Sequence, residues 1–111
     1  MSRTHEMTSV GGMKFLVLWR LELSLLSTNL AATVARMPEY AAPLERSGKV
    51  FGRYHIVGAH GGAWLFDVES NEELERLLAL MPVYNFARFT VHPLADMGDS
   101  GADVLRDSGN G

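Results

Sequence analysis

The chemically capable side chains of this chain crowd into one stretch, "RYHIVGAHGGAWLFDV", which runs from Arg53 to Val68 and carries Arg53, His55, His60 and Asp67. Arg20 in "LWRLEL", and Arg88 and His92 in "FARFTVHP", add the same residue types elsewhere. An imidazole titrates near neutrality, at about 6.5 when unperturbed, and can take a proton and return it. A guanidinium grips a carboxylate through paired hydrogen bonds. Together they suit proton transfer on a small anionic molecule, with His55 or His60 as general base and acid. Arg20 or Arg88 would hold the anion, and Arg53 with Asp67 would orient the site. Trp19, Tyr54, Trp64 and His92 are candidates for lining a substrate pocket.

Each feature also has a bland explanation. Arg53 and Asp67 can form a cross-strand pair with no role beyond structure, and His55 can be a satisfied interface histidine. The aromatic set can be ordinary core. His60 reads as the tip of a hairpin, where glycines supply positive backbone dihedrals. "GAHGG" neither fits a dinucleotide fingerprint nor leads into a helix. His55 and His60 by themselves make no metal site, so neither metal nor cofactor is expected. The chain has no cysteine, which excludes disulfides, thiolate nucleophiles and cysteine-ligated clusters.

Composition sets the frame for these residues. The 111 residues suffice for one compact domain, and 47% hydrophobic with 21% charged content is that of a globular chain. A formal net charge of -3 with scattered arginines gives no field to draw in nucleic acid. Arg20 and Glu22 interrupt the longest apolar run, so no membrane span is expected, and neither is a signal peptide. The cytoplasm is the expected location. Residues 1–12 read as a mobile leader, 13–96 as a single domain, and 97–111 as a tail that is loose or laid over a partner.

Hydrophobic spacing then supplies the positioning elements. Met13 to Leu23 alternates as a central strand, with Phe15, Val17, Trp19, Leu21 and Leu23 on one face. "STNLAATVARMPEYAAPLERSG" is helical, with a restart at Pro38, a kink or shortening from Pro43 and a stop at Gly48. Lys49 to Val57 and Ala63 to Glu69 flank a glycine loop as a hairpin. "SNEELERLLALM" begins with Ser70 and Glu73 in capping-box spacing and places Leu74, Leu77, Leu78 and Met81 on one stripe. Asn85 to Pro93 closes the series as a strand that Pro93 ends.

The order is βαββαβ, a ferredoxin-like α+β fold with a four-stranded antiparallel sheet and both helices on one face. Its other face needs a cover, for which a partner sheet in a homodimer is the natural choice. With the loop at 58–62, the hairpin sets His55 opposite Leu65 and Arg53 opposite Asp67. Tyr54 and Ile56 then share the other face with Trp64, Phe66 and Val68. If the outer strands align with it, Arg20, His55, Asp67, Arg88 and His92 meet on one polar surface; a slip of one residue would swap the faces.

From Glu39 to Leu94 the chain resembles the muconolactone isomerase family. The resemblance rests on Glu39, Ala41 and Leu44 leading to Gly48, on Ile56 and Gly58 in the hairpin, and on "LFDV" at Leu65 to Val68. A capped acidic helix and then "MPVYNF" complete it. It implies bacterial enzymes of aromatic catabolism that pair their sheets into dimeric α/β barrels, often in larger rings, with the tail over a neighbouring subunit. The chain departs from the family at the hairpin. Tyr54 and His55 stand where the isomerases have Trp-Arg, and Ala59, His60, Gly61 and Gly62 replace a His-Tyr-Ala-Asn run.

Three functions remain open at this point. The first is a cofactor-free isomerase shifting a proton on an unsaturated lactone or a related cyclic or polyketide-derived molecule. The second is a cofactor-free monooxygenase or polyketide cyclase of the dimeric α/β barrel type, such as natural-product pathways use. The third is a non-catalytic oligomeric ligand-binding protein.

Overall fold

The structure, a computed structural model, describes residues 11–22 and 28–97. Strand β1 (Met13–Leu21) leads through helices α1 (Thr28–Ala35) and α2 (Met37–Arg46) to strands β2 (Val50–His55) and β3 (Gly61–Val68). Helix α3 (Asn71–Ala79), a 3-10 turn (Tyr84–Phe86) and strand β4 (Ala87–Leu94) complete the order. The sheet runs β2-β3-β1-β4 with every neighbouring pair antiparallel, as the ferredoxin-like arrangement requires. Leu23 and the expected leader and tail lie outside the described residues, except Gly11, Gly12 and Met97.

Alternation along β1 decides which face is covered. Phe15, Val17 and Trp19 are buried together with Trp64, Phe66 and Val68 of β3, and Met37, Ala41, Leu74, Leu77 and Leu78 of the helices close over them. Leu16, Leu18 and Leu65, on the reverse face, are only half-buried. Both helical layers therefore lie on one side of the sheet.

The helix ends follow their sequence signals. The Ser70 side chain accepts from the Glu73 amide at 3.0 Å and so caps α3. Gly48 takes φ +82° just past α2, which leaves the helix in a turn that L side chains resist. Pro38 sits in the first turn of α2, while Pro43 remains inside it and the helix ends at Arg46.

Glu73 is buried, receives the Glu69 amide at 2.7 Å and is ion-paired to Lys49. These donors, the backbone amide foremost, hold its carboxyl below the ordinary value of 4.5. A carboxyl that is more acidic folded than unfolded adds stability above the unfolded value, and this is lost as pH falls through the folded one. Glu73→Gln should therefore lower the urea midpoint at pH 7 and flatten its decline below about 4.5, read by urea titrations across pH.

Two expectations are corrected here. Pro93 does not end β4 but pairs with Phe15 inside it. β4 is an edge strand, which tolerates a proline at positions whose amide would face away from the neighbouring strand. The hairpin register also differs: His55 lies opposite Gly62, Arg53 opposite Trp64 and Tyr54 opposite Ala63, with a bulge between Val50 and Gly52. The turn occupies 56–60, with Gly58 at φ +83°, and Gly61 and Gly62 belong to β3. They are glycines because β1 crosses so close. A Cβ on Gly61 would lie 2.0 Å from the Trp19 carbonyl oxygen, and one on Gly62 would lie 2.9 Å from Trp19 Nε1.

Candidate active site

The corrected register sends Arg53 and His55 to the helix-covered face. Across the sheet, Trp19, Gly62 and His55 form one row, and Val17, Trp64 and Arg53 form the next. A cleft of about 380 Å³ opens over these rows. Trp19 and Trp64 lie beneath it, and Val34, Ala35, Met37 and Pro38, around the break between α1 and α2, form the opposite wall. Arg53, Tyr54 and His55 complete the lining from β2.

Arg53 is held on two sides. Its guanidinium carbon lies 5.3 Å from the Trp64 ring centroid, and its Nε donates to Glu45 Oε2 at 3.0 Å. A guanidinium carries five N–H donors and this ion pair uses the one on Nε, so among the described residues the Nη groups are left for an anion. Glu45 is a partner that periodicity did not reveal; its place in the last turn of α2, shortly before Arg53, was the available signal.

The Trp19 Nε1 atom is buried and has no hydrogen-bond partner among the described residues. A buried donor left without an acceptor costs about 1–3 kcal/mol, and buried tryptophans usually find one. Here the nitrogen-bearing edge overhangs Gly62, in the gap that the missing side chain leaves beside His55.

The other candidate residues do not join this cleft. Arg20, Arg88, His92 and Asp67 lie on the opposite face of the sheet by register, so the five-residue polar surface including His55 does not form. Arg20 and Arg88 sit opposite each other and line a smaller hollow of about 230 Å³; Arg88 Nε is paired with Glu22 at 2.8 Å. His92 is exposed on the edge strand.

Asp67 is not the partner of Arg53. It is buried at the other end of β3, where its Oδ1 accepts the Gly11 amide at 3.1 Å and the Gly12 amide at 2.8 Å. The two residues point to opposite faces, since one is opposite Trp64 and the other is opposite Lys14 on the reverse side. His60 ends the hairpin turn with an exposed side chain, and its carbonyl accepts the Leu21 amide at 2.8 Å. Among the described residues no three His, Asp or Glu side chains come together as a metal ion would require. Among them, too, no helix is long and apolar enough to cross a membrane.

Comparison with known proteins identifies the family and the fold. The family profile described as muconolactone delta-isomerase matches residues 13–100. A muconolactone delta-isomerase of Rhodococcus opacus is 35% identical over 66 residues, which are 60% of this chain and 71% of the relative. One from Cupriavidus pinatubonensis is 38% identical over 61 residues, 55% of this chain and 66% of the relative. A crystal structure of muconolactone isomerase superposes with a TM-score of 0.67 at 26% identity, covering 76% of this chain and 90% of that one.

Proposed function

The chain belongs to the muconolactone delta-isomerase family of isomerase enzymes, and on that premise we propose that the Trp19–His55 cleft moves a double bond along an unsaturated lactone bearing a carboxylate. The observation that carries this reading is the gathering of Arg53, His55 and two tryptophans around one cleft of about 380 Å³. His55 takes a proton from the carbon beside the double bond. The electron pair spreads onto the lactone carbonyl as an enolate, and the imidazolium returns a proton at the far end of the conjugated system. The product has the same atoms as the substrate, so the net reaction needs no oxidant or co-substrate. Arg53 holds the carboxylate through its Nη groups, taking the place first given to Arg20 or Arg88, which face away from His55.

The reading includes a homodimer, with the helix-free face and its half-buried Leu16, Leu18 and Leu65 turned to a second copy. Incubating the pure protein with muconolactone in heavy water tests the whole proposal by NMR. Deuterium at one carbon with a shifted double bond is expected, in a sample that sediments as a dimer or larger. Binding without exchange would leave a ligand-binding protein, and oxygen uptake with quinol-type substrates would favour a monooxygenase instead.

A further inference from the structure

We infer that the indole N–H of Trp19 is the hydrogen-bond donor to the lactone carbonyl oxygen, so that Trp19 supports the enolate while His55 handles the proton. The inference rests on the isomerase reading and names the group that reading still lacks. Removing a proton from the carbon beside the double bond sends negative charge through the conjugated system to the lactone carbonyl oxygen, and a donor already aimed at that position lowers the barrier. Arg53 is committed to Glu45 on one side and stacked on Trp64, one row further along the sheet. Its charge suits the carboxylate, at a distance from the reacting carbons.

Trp19 has the three properties the role demands. It is buried, at 7% exposure, so water competes little for its N–H. Nε1 has no hydrogen-bond partner among the described residues. Its position is also constrained, because the nitrogen-bearing edge overhangs Gly62, where a Cβ would come within 2.9 Å of Nε1 and 3.0 Å of Cε2 and Cζ2. Gly62 pairs with Trp19 on one side and His55 on the other, so the indole edge takes the space a side chain at 62 would fill, in the same row of the sheet as His55. A planar lactone ring lying in the cleft over this row would have its carbonyl oxygen toward Nε1 and its acidic carbon toward His55.

The test has two arms. In the first, the wild-type protein labelled with 15N is titrated with the saturated analogue of muconolactone, which binds but cannot isomerise. Trp19 and Trp64 are the only tryptophans, so two indole N–H signals are expected, and contact with the Gly62 protons identifies that of Trp19. The Trp19 signal should move downfield on binding and the Trp64 signal much less. In the second arm Trp19→Phe, which keeps a ring and removes the N–H, should lower kcat about 100-fold while KM changes less than about threefold.

Wild-type turnover in Trp19→Phe, or a Trp19 signal that stays still while the analogue binds, overturns the inference. A variant that fails to fold leaves the wild-type titration to decide. Failure of the isomerase reading looks different: wild-type protein would not convert muconolactone, whatever the indole signal does. A downfield Trp19 shift in that case would keep the donor assignment for a bound lactone and remove its catalytic part.

Discussion

Replacing His55 with alanine is expected to lower kcat for lactone isomerisation by between about 100- and 10,000-fold, the usual contribution of a positioned general base. The expectation comes from register. His55 is opposite Gly62, on the face where the cleft lies, and among the described residues no other histidine lines the cleft. Its side chain is exposed, so removing it takes little from the core, and circular dichroism and the thermal midpoint should stay close to wild type. Deuterium incorporation from heavy water should fall in parallel with turnover, because both depend on the same proton transfer. Unchanged turnover in His55→Ala would remove His55 from the mechanism and with it the main chemical argument for this cleft.

Gly61→Ala should cost about 3 kcal/mol of stability, at the upper end for overpacking, and lower the thermal midpoint by at least about 10 °C. The added Cβ would fall 2.0 Å from the Trp19 carbonyl oxygen and 3.0 Å from the Arg20 Cα, and these are backbone atoms that cannot rotate away. Strands β1 and β3 would have to part at the end where they carry Trp19 and Gly62. Gly58→Ala provides the contrast. A Cβ there meets nothing within 4 Å, so only the strain of φ +83° is paid, about 1 kcal/mol. Thermal melts of both variants would show whether "GG" serves the sheet or the turn; equal losses would assign it to the turn.

Most of the fold was readable along the chain because the signals are local. Phe15, Val17 and Trp19 alternate with residues that stay half-buried, and the structure buries them. Ser70 and Glu73 announced the start of α3, and Leu74, Leu77 and Leu78 are its buried stripe, with Met81 buried just past its end. Only the partner of the Glu73 carboxylate differs, since it reaches the Glu69 amide rather than that of the cap residue. Pro93 misled because a proline's effect depends on whether its strand lies at an edge, which is a property of the sheet.

The site was legible as a set of residue types and not as an arrangement. Trp19, Arg53, Tyr54, His55 and Trp64 all line the cleft, but Arg53 was paired with the wrong carboxylate. Three glycines in "GAHGG" look alike on the page, yet Gly58 turns the chain while Gly61 and Gly62 make room for Trp19. That moved the hairpin pairing by three positions, and an odd shift reverses every face of a strand with a two-residue repeat.

What the sequence determined by itself was the element order, the covered face of β1 and the family's features from Glu39 to Leu94, since each rests on short-range spacing or a local motif. Only the tertiary structure decided which of the polar residues meet. Asp67 went to the Gly11 and Gly12 amides, Arg20 and Arg88 went to the reverse face, and His55 came into one row with Trp19, whose N–H has no partner among the described residues. The physical reason is the close approach of β1 to Gly61 and Gly62, a contact between distant segments that sets the register and through it the direction of every side chain on the hairpin.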